Sequence, residues 1–181
     1  MSATSAANSE PKPGDVVGNY LLTEELGRGG MGIVFSALST PAYSTVPLAL
    51  KWFRPKRASS ETVREVGSCL AQLHHSALVQ VTDVDRHGRY LVMEHISGEP
   101  LGPLLKRRGR LTCQEFEVLT RHLCDGLSTL HGAGLLHLDV RPVNNIATRH
   151  GWVLIDLGIP YFCISTSEKA VDLSKRGPRS Y

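Results

Sequence analysis

The chain of 181 residues has only four cysteines, Cys69, Cys113, Cys124 and Cys163, and no two of them are paired as C-x-x-C. That spacing excludes a zinc ribbon and offers no disulfide framework. Cys69, Cys113 and Cys124 lie in stretches patterned as helices, so they are expected to be small buried thiols in a reducing compartment. The N-terminus lacks an apolar signal core, and no hydrophobic run is long enough to span a bilayer. The expectation is a cytoplasmic protein without a membrane partner. Strong charge of one sign is missing too. The net charge is +3, and the basic residues are scattered apart from short clusters at 51–57 and 106–110, which read as solvated faces. No nucleic-acid partner is expected. Residues 1–17, MSATSAANSEPKPGDVV, carry almost no large apolar side chains and read as a flexible tail, with structure starting near Gly18. What remains, at 41% hydrophobic and 20% charged overall, suits one globular domain with a core.

Chemistry concentrates in residues 135–158, LLHLDVRPVNNIATRHGWVLIDLG. Asp139 and Asn144 stand five apart in a segment broken by Pro142, which forbids a regular helix and predicts a rigid irregular loop. Residues 152–155 form a short apolar run between Gly151 and Gly158, the pattern of a buried strand that delivers Asp156 at its end. A carboxylate at a strand end facing an Asp/Asn loop suits oxygen ligation of Mg²⁺. Upstream, the text NYLLTEELGRGGMGIVFSA reads as a hairpin with a glycine tip. Gly27, Gly29 and Gly32 make G-x-G-x-x-G, but the dinucleotide-binding version needs a helix next, and here a strand follows. A third strand, 48–53, carries Lys51 inside an apolar run; the plain reading of such a lysine is a sheet-edge side chain reaching for water.

Taken in order, these stretches resemble eukaryotic-type serine/threonine protein kinases, in the bacterial form. HLDVRPVN at 137–144 is similar to their catalytic loop, Asp156-Leu157-Gly158 to the metal-binding D-F-G, LGRGGMGIVF to the glycine-rich lid, and LALK to the V-A-I-K strand. The resemblance implies an α+β, protein-kinase-like fold: an antiparallel-sheet N-lobe with one helix at 18–95 and a partial, mainly helical C-lobe at 96–181. It implies ATP and Mg²⁺ as cofactors and a protein as substrate. Asp139 then orients the acceptor hydroxyl and takes its proton, Arg141 stands for the usual Lys near the transferring phosphoryl, and Asn144 and Asp156 hold the metal. Lys51 binds the α- and β-phosphates beneath Gly27, Gly29 and Gly32. Val34, Ala49 and Ile146 cover the adenine, Met93 guards the back pocket, and the Glu94 to Ile96 backbone offers hydrogen bonds. Leu70, Val81, His137 and Leu157 match an apolar stack connecting the lobes.

The resemblance also has gaps. Ser59 or Ser60 caps a helix whose apolar positions are Val63, Val66, Leu70 and Leu73. Counting back from Leu70 and Leu73 puts Val66 where the family has the Glu that pairs with Lys51. Glu65 is one residue early, about 100° away around the helix. Leu138 replaces an Arg that receives an activation-loop phosphate, and Pro178 replaces a Thr in the segment 177–181. Residues 78–81 and 90–94 read as two strands turning at 86–88. Thr112 and Glu115 form a capping box ahead of an apolar stripe of Phe116, Leu119, Leu123, Leu127 and Leu130. His122 and His131 on that helix read as surface or core residues rather than ligands. The chain stops at Tyr181 before an A-P-E motif, so the expectation is a kinase truncated within its activation segment. Apolar surface behind 116–130 is then left for a partner or missing segment to cover. The alternative function is a nucleotide-binding pseudokinase or interaction module without transfer.

Overall fold

The computed structural model describes residues 10–40, 46–54 and 59–157. Expectations for Gly158, Cys163 and residues 177–181 therefore lie outside the described residues, as does the tail at 1–9. Six antiparallel strands form the upper sheet: β1 (Val16–Val17), β2 (Tyr20–Arg28), β3 (Gly32–Ser39), β4 (Leu48–Phe53), β5 (Val81–Val84) and β6 (Tyr90–Glu94), in the order β1-β2-β3-β4-β6-β5. Because side chains alternate along a strand, each strand serves two cores. Ile33, Phe35, Leu50, Tyr90 and Val92 pack on one face. Ala49, Phe53, Leu91 and Met93 point to the other, where they meet Val63, Val66 and Leu70 of α1 (Ser60–Ala71). Lys51 has the phase of this second set, so its ammonium is directed inward and only 6% of the residue is exposed.

Two expectations about this part are corrected. The tail does not run to residue 17: Val16–Val17 pair with β2, and Gly14 N–H donates to Leu22 O at 2.8 Å. Polar composition hid this, because backbone pairing needs no large side chain. The apolar run 78–81 is not a strand of the upper sheet either, since β5 begins at Val81. Leu78 instead makes a parallel bridge to Leu154, and Val79 N–H donates to Leu154 O at 3.0 Å. A run buried between two parts of a fold has the same sequence appearance as a buried strand.

The lower part contains β7 (Glu99–Pro100), α2 (Leu101–Arg108), α3 (Cys113–Gly132), a 3₁₀ turn at Pro142–Asn144, β8 (Asn145–Thr148) and β9 (Gly151–Leu154), with a small sheet ordered β7-β8-β9. The capping box forms as expected, and the Arg108 guanidinium together with the Thr112 cap holds the Glu115 carboxyl down at about 2. Ser59 occupies the N-cap position of α1, but its side chain makes no capping hydrogen bond. The stripe on α3 is buried at Leu119 and Leu130, whereas Phe116 is 62% exposed beside an apolar groove with Leu101, Leu105 and Leu111. Cys69, Cys113 and Cys124 are exposed free thiols, not buried ones. Each sits off the apolar arc of its helix, and helical phase outweighs the intrinsic preference of Cys for the interior. No described helix is long and apolar enough to cross a membrane.

Gly98 joins the two parts. A Cβ there would collide with the Ala147 carbonyl and press on Ile146. Gly98→Ala is expected to destabilise the protein by about 1–3 kcal/mol through overpacking, read as a lower denaturant midpoint at unchanged slope.

Candidate functional site

The loop between α3 and β8 is held from inside by His137, which is 1% exposed. Its Nε2 donates to Ile155 O at 3.2 Å, and its Nδ1 accepts from Asp139 N–H at 3.3 Å. One nitrogen giving and one receiving defines the neutral tautomer. Burial pushes the imidazole below its ordinary value of 6.5. A lowered folded pKa means that the unfolded chain binds the proton more readily. His137 therefore contributes stability that is full above about 6.5 and lost as pH falls through the lower folded value. The melting temperature is expected to drop on acidification below about pH 6.5, with a flatter profile for His137→Asn.

Asn144 is 5% exposed in the 3₁₀ turn. Its Nδ2 donates to Asp139 O at 2.8 Å and to Asp139 Oδ2 at 3.0 Å, while Arg141 Nε lies 3.1 Å from Asp139 Oδ1. Pro142 thus serves the expected purpose: it opens a short turn rather than a helix, and the turn folds Asn144 back onto Asp139. Ile155 N–H donates to Asn144 O at 2.8 Å, which ties the loop to the chain leaving β9. Asp156 follows with φ 56°, and Leu138 has φ 57°; both are left-handed conformations that cost a non-glycine residue energy. Both flank the hydrogen-bonded core of the loop, and the turn at Asp156 directs its carboxylate to Lys51.

Lys51 Nζ and Asp156 Oδ1 form an ion pair between the upper and lower parts. The Phe53 ring lies 5.6 Å from the same ammonium. The pair lines a small pocket with Val81, Leu91, Met93 and Leu157. Leu70, Val81 and Leu157 share one buried cluster. Val34 and Ala49 lie on the Lys51 face of the sheet, and Ile146 is buried in β8. Glu94 N–H is spent on Gln80 O at 3.0 Å, so this donor of the Glu94 to Ile96 backbone is already taken.

Val66 is 5% exposed in the core and Glu65 is exposed, so the helix register does not slip. Among the described residues Asp156 is the carboxylate paired with Lys51. The glycine tip is different again. Gly32 is required by packing, since a Cβ would strike the Trp52 carbonyl. Gly27, Gly29 and Gly30 face open space and none has a positive φ. Neither packing nor backbone geometry demands glycine at these three positions.

Sequence reasoning missed α2 and the ion pairs around the tip. Leu101, Leu104 and Leu105 have helical spacing before Gly109, but Pro103 obscured the signal; proline is tolerated in a first turn. The ion pairs join residues 18 and 44 apart and leave no local pattern.

An upper sheet with one helix, joined at Gly98 to a lower part of helices and a small sheet, defines a kinase-like α+β fold with charged groups of both parts meeting at Lys51 and Asp156. The chain belongs to the protein kinase domain family, whose profile matches residues 20–176. It is 35% identical over 154 residues to the serine/threonine-protein kinase PknA of Mycobacterium tuberculosis, covering 78% of this chain and 35% of that protein. It is 34% identical over 155 residues to a probable serine/threonine-protein kinase PknB of Corynebacterium glutamicum, covering 80% and 24%. The chain thus spans about a third or less of the length of these relatives. The crystal structure of the Mycobacterium tuberculosis PknI kinase domain shares the fold, with a TM-score of 0.67 at 24% identity over 82% of this chain and 63% of that one.

Proposed function

We propose that the chain carries the site of an ATP- and Mg²⁺-dependent serine/threonine protein kinase, acting in the cytoplasm on a protein hydroxyl. The observation that supports this most is that the Asp139–Asn144 lock and the Lys51–Asp156 pair are tied together through Ile155 beneath a glycine tip that faces open space. In this reading Lys51 holds the α- and β-phosphates, and Gly27, Gly29 and Gly32 let the backbone approach them. Val34, Ala49, Met93 and Ile146 enclose the adenine, which bonds to the Glu94 carbonyl and Ile96 N–H. Asp139 orients the acceptor hydroxyl and takes its proton, and Arg141 keeps positive charge beside it.

The donor set fits Mg²⁺. Asn144 spends its amide hydrogens on Asp139, leaving a carbonyl oxygen, and Asp156 has a carboxylate oxygen beyond the one on Lys51. No group of three or more His, Cys, Asp or Glu forms a self-contained metal site among the described residues, so an ion held here would draw its remaining ligands from substrate phosphates and water. When bound, Mg²⁺ supplies neutralisation of the phosphate charge.

Val66 in the core-facing position favours a second reading, a nucleotide-binding module without transfer. Two measurements on the purified protein separate them: a melting-temperature titration with Mg·ATP, and transfer of labelled phosphate to itself or to a generic basic protein. Stabilisation with transfer is expected. Stabilisation without transfer selects the second reading, and neither response sinks both.

A further inference from the structure

Residues 10–17 lie along β2, with residue 10 at the glycine tip and residue 17 at the far end of the strand. Gly14 N–H donates to Leu22 O at 2.8 Å, Leu22 N–H to Asp15 O at 2.9 Å, and Lys12 N–H to Asp15 Oδ2 at 2.9 Å. Running antiparallel to β2, this segment carries Glu10 to two arginines. Glu10 Oε2 is 2.5 Å from Arg28 Nη1, and Oε1 is 2.5 Å from Arg54 Nε. Arg28 belongs to the glycine stretch itself, and Glu25 holds its other edge at 2.6 and 2.9 Å. Arg54 follows β4; its Nη1 donates to Gly29 O and its backbone N–H to Met31 O at 3.0 Å.

We propose that Glu10 is a strap: one carboxylate, carried from outside the hairpin, pins the glycine tip to the end of β4 and so sets how fast nucleotide enters and leaves. The gating half rests on the nucleotide site proposed above; the pinning half does not. A side chain at Gly27, Gly29 or Gly30 would meet nothing within 4 Å, so side-chain burial does not hold the tip in place. Backbone bonds from Gly29 N–H to Gly32 O and from Arg54 N–H to Met31 O restrain it, and the Arg54 side chain adds a hold on the Gly29 carbonyl; Glu10 orients that guanidinium while also gripping Arg28. An isolated exposed ion pair contributes little, but here a single carboxylate serves two guanidiniums, one of which also holds the tip backbone. Loops that close over phosphates commonly limit release of the nucleotide.

The test is Glu10→Gln. The Gly29 amide, bonded to Gly32 O at 2.9 Å, is the probe. Its hydrogen exchange, followed by NMR in the nucleotide-free protein, is expected to quicken several-fold. Salt should quicken exchange in the parent and have little further effect in the variant. Glu99→Gln, which releases Arg107 on α2, serves as the control and should leave the probe unchanged. Dissociation of a fluorescent ATP analogue should quicken several-fold in Glu10→Gln. Unchanged exchange overturns the strap whatever the nucleotide does. Faster exchange with unchanged dissociation overturns the gating. Faster exchange in a protein that binds no nucleotide leaves the pin standing and sinks the proposed function instead.

Discussion

Asp139→Asn is expected to lower phosphate transfer by about 10²–10⁴-fold, the usual contribution of a positioned proton acceptor. Nucleotide binding should hardly change. The substitution is nearly isosteric, and the loop is positioned by contacts that it does not touch: His137 to Ile155 O, Ile155 N–H to Asn144 O, and Asn144 Nδ2 to the Asp139 backbone carbonyl. What is lost is a carboxylate that accepts from Asn144 on one oxygen and faces Arg141 on the other. An amide offers only one acceptor oxygen, so one of those contacts goes along with the basicity. The measurements are the transfer rate at saturating ATP and the Mg·ATP-induced shift in melting temperature. A variant that still transfers phosphate at the parent rate would remove Asp139 from the proton-accepting role.

The second large effect concerns stability, and it follows from Val66. Lys51 is 8% exposed at its side chain and Asp156 36%. Removing the more exposed partner leaves the more buried charge alone. Asp156→Ala strands the Lys51 ammonium: among the described residues the Phe53 ring at 5.6 Å remains beside it, and Val66 of α1 offers no carboxylate to replace the lost one. Breaking a buried pair in this way costs about 3–5 kcal/mol, and partial exposure of Asp156 sets the expectation near the lower end, about 3. For a chain of this size that is roughly 6–12 °C in melting temperature. Lys51→Met removes the buried charge, fills the space with an apolar chain and leaves a carboxylate that water can reach, so it should cost far less. The order of the two variants is the test. Equal losses would mean that Lys51 has another counter-charge, and a larger loss for Lys51→Met would reverse the argument.

The site was legible because its residues cluster in sequence around features with one physical meaning. Pro142 cannot continue a helix, so Asn144 had to lie in a turn, and the structure folds it onto Asp139. The apolar run before Asp156 had to be a strand, and β9 places Asp156 just beyond its end. The apolar run 48–53 marked a strand carrying Lys51, and the structure puts Lys51 on the face of Ala49 and Met93. Helical phase separated Val66 from Glu65, and their burial agrees. Burial by partners distant in sequence was not legible in the same way. Phe116 and the three thiols depended on which face each helix turns inward, and residues 78–79 on which part of the fold their backbone bonds to.

Sequence by itself determined the family, the strand that carries Lys51, the strand that leads into Asp156, the Asp139–Asn144 turn and the missing carboxylate at Val66. The strands and the turn are local patterns within reach of propensity and periodicity, while the family and the Val66 position came from the resemblance of motifs in their order. Only the tertiary structure decided that Asp156 is the counter-ion of Lys51, 105 residues away, and that Glu10 reaches Arg28 and Arg54 at the glycine tip. Charges do not announce their partners along a chain. Coulomb attraction acts through space, and which carboxylate comes within reach of which cation is settled only when the strands and helices have packed.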